Sequence, residues 1–388
     1  MHAPILSQTL DRRLSTLLRH AALLVAVSVV VLATACAGEP TPTPTPEPTA
    51  TSTPTATPPP TPIPSLTTVH TPRPISLPTD EASHTDPVEW WYYSGTMEDA
   101  SGNDYGFHFV IFQVTNPENG DAGYMSHASV FDVAAGLREQ SVRFGVGAQP
   151  QPATGFEFSV GDWTLSGDNG THSFAAATDT FAFDLTVDAN KPAVLHNETG
   201  YLEALNGWTY YYSWTDMDLL GTLTVNGQEL GVIGEAWMDH QWGDFVVSGY
   251  PSGWQWFAVS MDNDYELMVA EARESDGQVI TYSTLVDPSG MTTHIDGQDI
   301  TIDVLNTWTS PHTGGEYPAG WRIMIPAHEL SMTLTPLLDD QEFTLAFPPN
   351  TIYWEGLTET DITFGGEPVG ASAYVELVGY APPPTPTP

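Results

Sequence analysis

Short stretches of apolar or alternating residues, each closed by Gly, Asn or Asp, recur from residue 90 to residue 377 and constrain the fold more than any other feature. Asn226-Gly227 separates two such stretches, at 222–225 and 230–233, and is a strong signal for a two-residue hairpin. No run of ten or more residues has the periodicity of an amphipathic helix. The pattern therefore predicts an all-β protein of antiparallel strands. About 300 residues carry it, which is enough for two closed barrels of roughly eight strands each.

The N-terminus has the pattern of a secretory signal peptide. Arg12, Arg13 and Arg19 form a positive region, residues 21–32 are almost wholly apolar, and small residues precede Cys36. The apolar run is shorter than the ~20 residues of a membrane span. Cys36 is the only cysteine, and its place after a small-residue cleavage site predicts acylation and an extracytoplasmic, lipid-anchored protein. Ordinary cleavage, which would give a secreted protein with one free thiol, is the alternative.

Composition divides the chain into five segments. Residues 1–35 are predicted to be the lipoprotein signal peptide, and residues 36–74, rich in Thr and Pro, a disordered linker. Residues 75–243 and 244–381 are predicted to form the two β domains. Residues 382–388 repeat the Thr-Pro composition as a tail.

The charge balance excludes several classes of partner. The chain has nine Lys and Arg against 48 Asp and Glu, a formal net charge of −39. Such a surface repels nucleic acid and anionic headgroups, so the sequence predicts no nucleic-acid partner and contact with the membrane through the anchor only. No cofactor or metal is predicted either. The chain has no His-x-Glu-x-x-His spacing, no Gly-rich phosphate loop and no Gly-x-Ser-x-Gly elbow.

The first candidate site is the stretch 89–95, which reads Glu-Trp-Trp-Tyr-Tyr-Ser-Gly. In a strand, Glu89, Trp91 and Tyr93 share one face. A carboxylate beside two large aromatic side chains inside a barrel would be partly desolvated, which would raise its pKa. Glu89 is therefore a candidate general acid. An aromatic plug, with the carboxylate held by backbone donors, is the alternative.

The second candidate site is the stretch 237–243, Trp-Met-Asp-His-Gln-Trp-Gly. In an extended chain His240 and Trp242 face one side, and Asp239 faces the other with Trp237. A nearby carboxylate can fix the tautomer of a histidine and raise its pKa for acid–base work. Asp239 and His240 are therefore candidate catalytic residues, and a structural corner capped by Asp239 is the alternative.

Many aromatic side chains in the chain suit an apolar ligand or a developing carbocation. The sequence predicts that a hydrophobic small molecule would contact Trp91, Tyr93, His108, Tyr211, Trp242, Trp254 and Trp256. Most aromatic residues of a β protein only fill its core, and this is the alternative. His108 lies within a predicted strand and could point into the first barrel.

Several motifs, in order along residues 84–380, resemble the AttH/carotenoid 1,2-hydratase (hydroxyneurosporene synthase) family of two-domain lipocalin-like proteins. The first is the opening His…Glu-Trp-Trp-Tyr…Gly, from His84 to Gly95. Trp-Met-Asp-His-x-Trp-Gly follows at 237–243, and the C-terminal pair reads Tyr-Trp-Glu-Gly at 353–356 and Tyr-Val-Glu-Leu at 374–377. The resemblance implies two tandem lipocalin-like antiparallel β-barrels.

The resemblance also implies a hydro-lyase that adds water to a double bond of an apolar isoprenoid or polyene. Such chemistry needs an acid that protonates the alkene, aromatic rings that stabilise a cation, and a held water. The His and Trp of the family's Asp-His-x-Trp-Gly motif are implicated in hydration, which carries over to His240 and Trp242. A non-catalytic carrier of a hydrophobic ligand, or a pericyclase-like enzyme acting on a polyene, would use the same pocket.

Overall fold

The computed structural model describes residues 70–246, 250–345 and 352–382. The predicted signal peptide, the lipidation site at Cys36, the linker up to residue 69 and the tail from residue 383 lie outside these ranges. Most of the described residues lie in strands. The helical elements among them are three short 3-10 helices, at Thr79–Glu81, Gly297–Asp299 and Pro326–His328. This part of the chain contains no helix with the length and hydrophobicity of a membrane span.

The first sheet has twelve strands and curls into a nearly closed barrel, called barrel 1 below. Its strands are β1 (Val88–Asp99), β2 (Asp104–Thr115), β3 (Ala122–Asp132), β4 (Leu137–Val146), β5 (Phe156–Val160), β6 (Trp163–Asp168), β7 (Thr171–Ala177), β8 (Phe181–Ala189), β9 (Val194–Leu195), β10 (Tyr201–Leu202), β11 (Trp208–Val225) and β12 (Gln228–Asp244). They are ordered β4-β3-β2-β1-β12-β11-β8-β7-β6-β5, with β9 and β10 paired to β11.

An ion pair joins the two ends of this sheet. Arg143, on β4, places its Nε 2.7 Å from Oδ1 of Asp162, which lies in the turn between β5 and β6. The same guanidinium lies over the ring of Trp163, 4.6 Å from its centroid. These contacts bring the sheet edges together where no backbone ladder is formed.

The second sheet has eleven strands and forms a half-barrel, called barrel 2 below. Its strands are β13 (Gly253–Met261), β14 (Tyr265–Arg273), β15 (Val279–Val286), β16 (Thr292–Asp296), β17 (Thr301–Val304), β20 (Trp321–Ile325), β21 (Leu330–Pro336), β22 (Glu342–Phe343), β23 (Tyr353–Phe364), β24 (Glu367–Val369) and β25 (Ala371–Val378). Strands β18 (Thr307–Thr309) and β19 (Glu316–Pro318) form a separate two-stranded ribbon.

The predicted all-β fold of two barrels is confirmed. Each sheet has more strands than the roughly eight expected: barrel 1 has ten in its main order plus the short β9 and β10, and barrel 2 has nine plus the short β22 and β24. In β5, buried and exposed residues alternate, as expected for a wall with one face in water. In β1, all residues from Glu89 to Ser94 are buried, because barrel 2 covers the outer face there.

The segment before β1 packs onto barrel 1. The ring of His70 stacks on Trp208 with 3.5 Å between centroids, and the backbone N–H of Arg73 donates to the Tyr210 hydroxyl at 2.8 Å. Trp91 Nε1 donates to the carbonyl oxygen of Glu81 at 3.1 Å. The domain start predicted at residue 75 therefore lies within packed chain, since aromatic side chains of barrel 1 hold the segment from His70 onward.

The close pairing of β1 with β12 leaves no room for a side chain at Gly95. A Cβ atom there would lie 2.1 Å from the carbonyl oxygen of Glu235, whereas one at Gly123, on β3, would meet nothing within 4 Å. We expect Gly95→Ala to lower the free energy of unfolding by about 1–3 kcal/mol. Gly123→Ala is the matched control and should leave it unchanged or slightly raised. Denaturant titration with an unchanged slope measures both, and equal midpoints for the two variants would contradict this packing.

Candidate active site between the two barrels

Side chains of β1 divide into two sets, because successive residues of a strand point to opposite faces. Glu89, Trp91 and Tyr93 point into barrel 1, and each is 0% exposed. Trp90 and Tyr92 point the other way and pack in a cluster that includes side chains of barrel 2. The central wall of barrel 1 therefore faces two separate cores.

The same alternation on β12 separates the two neighbouring residues that the sequence proposed as catalytic. His240 and Trp242 lie inside barrel 1, whereas Asp239 and Trp237 face barrel 2. This division of side chains between the two faces of β12 is the one predicted for an extended segment 237–243. Asp239 and His240 therefore do not share one site.

A small cavity lies between the two barrels, with a water-accessible volume of about 60 Å³. That space holds on the order of four or five water molecules. Its walls are mostly aromatic and apolar, with three carboxyl groups among them. The lining includes Trp90, Tyr92, Tyr211 and Asp239 from barrel 1 and Trp254, Trp256, Glu355 and Glu376 from barrel 2.

Asp239 is the carboxyl group that barrel 1 contributes to the cavity. It accepts hydrogen bonds from the Tyr211 hydroxyl at 2.6 Å, from Trp237 Nε1 at 2.7 Å and from Ser213 Oγ. Tyr211 in turn accepts a bond from Trp256 Nε1 at 3.0 Å, which links the two barrels. Burial raises the pKa of Asp239 to about 6, although its three donors act to lower it.

Barrel 2 contributes two further carboxyl groups that the sequence reasoning missed. Glu355 and Glu376 are directly paired across β23 and β25, where Glu355 is buried and Glu376 is half-buried. Burial raises the pKa of Glu376 to about 7, against the lowering effect of a 2.8 Å hydrogen bond from Trp254 Nε1. Burial and the nearby Glu376 hold the pKa of Glu355 well above its ordinary value, and the Tyr92 hydroxyl donates to it at 2.9 Å.

A signal for these two residues was present in the sequence. Each is the single charged residue within an apolar or aromatic stretch, at 353–357 and 373–378, and a lone carboxylate in a buried strand is uncommon without a partner. The partners come from distant strands, so the convergence of Glu355 and Glu376 with Asp239 is visible only in the fold.

Inside barrel 1, Glu89 forms a network with two histidines. Its Oε1 lies 2.8 Å from His240 Nε2 and 2.6 Å from His84 Nδ1. His240 Nδ1 is 3.1 Å from the Tyr212 hydroxyl, and the His84 ring stacks on Trp242 with 4.1 Å between centroids. This network lies across the sheet from the cavity.

The charge state of Glu89 differs from the sequence-based expectation. Burial would raise its pKa, but the hydrogen bonds from His240 and His84 lower it below the ordinary value. For His84, burial is outweighed by hydrogen bonds to Asp80 and Glu89, which raise its pKa to about 9. Glu89 is therefore a carboxylate beside a protonated His84, and the prediction of a raised pKa was wrong because the sequence did not reveal its cationic neighbour.

The ligand-contact residues predicted from the sequence fall into the same two groups. Tyr211, Trp254 and Trp256 line the cavity, whereas Trp91, Tyr93 and Trp242 are packed inside barrel 1. His108 lies on the outer face of β2, so its side chain points out of barrel 1. Its Nδ1 is 2.7 Å from Ser129 Oγ and its Nε2 is 3.2 Å from the Tyr353 hydroxyl, beside the cavity but not in its wall.

The sequence matches the model of a protein family described as AttH-like over residues 68–380. Comparison with curated protein sequences found no match. Solved structures are similar across most of the chain. One, of a protein assigned to AttH from Nitrosomonas europaea, is 26% identical with a TM-score of 0.70, covering 80% of this chain and 98% of its own.

More distant structures share the fold. Kievitone hydratase from Nectria haematococca is 20% identical with a TM-score of 0.64, covering 75% of this chain and 89% of its own. CghA, solved with Sch210972, is 13% identical with a TM-score of 0.52, covering 76% and 89% respectively.

The raised pKa of Glu376 predicts a pH dependence of stability. Folded Glu376 keeps its proton up to about pH 7, whereas an unfolded glutamate releases it near 4.5. The folded state therefore binds more protons between these values, and its stability falls as pH rises through them. Glu376→Gln should remove up to about 3 kcal/mol of that fall.

Denaturant titrations from pH 4.5 to 7.5 measure this effect. Glu229→Gln, at an exposed position of β12, is the control and should keep the wild-type slope. The same slope in Glu376→Gln as in the wild type would mean that Glu376 ionises like a solvated side chain.

Proposed function

The chain belongs to the AttH-like family, and on that premise we propose that it is a hydratase-type lyase acting at the cavity between its two barrels. Its substrate would be an apolar isoprenoid or polyene, and the reaction would add water to a carbon–carbon double bond. The fold shared with kievitone hydratase supports hydration as the reaction class.

The observation that carries the proposal is that three carboxyl groups, Asp239 from barrel 1 and Glu355 and Glu376 from barrel 2, converge on one cavity lined by aromatic side chains. Asp239 has a pKa of about 6 and Glu376 a pKa of about 7, both raised first by burial. Glu376 therefore keeps its proton to a higher pH than Asp239, which suits Glu376 to the role of acid and Asp239 to that of base. Carboxyl pairs whose environments separate their pKa values are suited to paired base and acid roles.

In this mechanism Glu376 gives its proton to one alkene carbon, and the positive charge develops on the other. The faces of Trp90, Trp254 and Trp256 line the space and would stabilise that charge. Water then attacks the cation, and its proton passes to Asp239, which Tyr211 holds in place. Proton exchange with solvent returns Asp239 and Glu376 to their starting states, so the net change is addition of one water.

The size of the cavity restricts what enters it. A volume of about 60 Å³ admits a reacting end group and a water but not a whole polyene, whereas ligand pockets commonly measure roughly 300–1,000 Å³. The rest of the substrate would extend between the barrels towards solvent. A carrier that stores a complete polyene in this cavity would need a larger preformed space, which favours an enzyme over a carrier at this site.

We also propose that the protein works outside the cytoplasm, anchored through Cys36 on its Thr-Pro linker. An apolar substrate partitions into membranes, and a lipid-anchored enzyme would find it there. The net charge of −39 would keep the globular part away from anionic headgroups while the anchor holds it near.

Substitution of Asp239 tests the proposed reaction directly. With an isoprenoid bearing a terminal alkene in ¹⁸O-labelled water, the wild type should release a labelled tertiary alcohol. Asp239→Asn should lower kcat/KM by roughly 10²–10⁴-fold, because the base is lost. Asp218→Asn, at an exposed position on β11, is the control and should retain full activity. Binding without labelled product would make the protein a carrier, and an unlabelled rearranged product would make it a pericyclase.

The paired roles also predict a bell-shaped pH profile for kcat/KM. Activity should fall below about pH 6 as Asp239 gains its proton, and above about pH 7 as Glu376 loses its own. The profile is measured with the same labelled assay. A rate that rises or falls steadily from pH 5 to 8 would contradict the assignment of base and acid.

A further inference from the structure

Inside barrel 1, apart from the cavity, the fold brings together two imidazoles and one carboxylate. His84 Nδ1, Glu89 Oε1 and His240 Nε2 all lie within 4.8 Å of one another. No other group of three or more His, Cys, Asp or Glu side chains with such spacing occurs among the described residues. We propose that this triad binds a divalent first-row transition metal ion.

The donor set fits such an ion. An entering ion would displace the proton of His84, and the resulting two neutral imidazoles and one carboxylate suit Zn²⁺, Co²⁺ and Fe²⁺. Three protein ligands leave a coordination position open for water. Hard ions such as Mg²⁺ and Ca²⁺ prefer all-oxygen sites, so this triad would discriminate against them.

Each proposed ligand also has a second partner that orients it, as is usual around bound metals. His84 Nε2 lies 3.4 Å from Asp80 Oδ1, and His240 Nδ1 lies 3.1 Å from the Tyr212 hydroxyl. Glu89 Oε2 accepts the backbone N–H of His84 at 2.8 Å and Gln113 Nε2 at 3.3 Å. The three atoms that would bind the ion, His84 Nδ1, Glu89 Oε1 and His240 Nε2, therefore face one another.

The geometry requires only a small adjustment. Ligands about 2.0 Å from a tetrahedral ion lie about 3.3 Å apart, whereas Glu89 Oε1 is now 2.6 and 2.8 Å from the two imidazole nitrogens. Glu89 Oε1 would therefore move away from each nitrogen by roughly half an ångström, and the two nitrogens, which lie within 4.8 Å of each other, would settle about 3.3 Å apart. His84 provides the entry, because its side chain is 14% exposed while those of Glu89 and His240 are fully buried.

A metal here would fasten the segment before β1 to the barrel. His84 belongs to that segment, Glu89 to β1 and His240 to β12, so one ion would cross-link three parts of the chain. The spacing along the chain hides the site, since His240 is 151 residues from Glu89. Metal binding should therefore raise thermal stability as well as occupy the site.

Zn²⁺ titration of the purified, chelator-treated full chain tests the proposal by calorimetry and by thermal unfolding. We expect one Zn²⁺ per chain and a rise in Tm on the order of 5 °C when free Zn²⁺ is 100 times the Kd. His84→Gln should weaken binding at least tenfold. His312→Gln is the control, because His312 is half exposed and pairs only with Asp340 on the surface, and it should bind as the wild type does.

X-ray absorption of the Zn²⁺-loaded wild type gives a readout that does not depend on a variant folding. Two imidazole nitrogens and at least one oxygen at about 2.0 Å are expected. No stoichiometric Zn²⁺ binding by the wild type, a ligand shell with fewer than two imidazoles, or equal affinity in a folded His84→Gln would each overturn the proposal. In any of those cases the triad would be a hydrogen-bonded ion pair only.

Discussion

The wall formed by β1, β11 and β12 is buried on both faces, and the rest of the molecule is arranged around that constraint. One face closes the core of barrel 1, and the other forms the contact with barrel 2. Because the side-chain period of a strand is two, a shift of one residue would exchange the two sets completely. The register of β1 against β12, which pairs Trp91 with His240 and Tyr92 with Asp239, thus fixes the interior and the cavity together.

The buried charges of the interior hold that register. Glu89 is 0% exposed and receives hydrogen bonds from β12 and from the segment before β1, so a slip would leave a carboxylate unpaired in a low-dielectric core. His240 is the immediate neighbour of Asp239. The Glu89–His240 contact therefore positions the cavity carboxyl group without touching anything bound in the cavity. In the proposed reaction His240 would therefore act by positioning Asp239 and not as the acid or the base.

Sequence reasoning identified the elements whose information is local. Alternation alone placed His240 and Trp242 on one face and Asp239 on the other, and the two barrels followed from strand length and turn chemistry. Sequence reasoning failed where the hydrogen-bond or charge partner of a residue comes from another part of the fold. The pKa of Glu89 depends on His84 and His240, which no periodicity connects to it. In the sequence, Glu355 and Glu376 are single carboxyl groups within apolar strands. The opposite wall of the cavity that they face comes from the other barrel, so the sequence does not connect them with Asp239.

The packing of barrel 1 argues that any ligand binds between the barrels and not within one. Lipocalin-like barrels commonly hold a ligand inside, but here Trp91, Trp163 and Trp242 are each 0% exposed and fill the interior. The inter-barrel cavity places titratable groups beside an aromatic lining. Side chains of the two barrels also meet elsewhere, since Lys191 Nζ lies 2.6 Å from Glu266 Oε1 and Arg138 Nη1 donates to the carbonyl oxygen of Glu342 at 2.6 Å. At the cavity itself, hydrogen bonds from Tyr92 to Glu355 and from Trp256 to Tyr211 cross between the barrels, so each barrel orients polar groups that the other presents to the cavity.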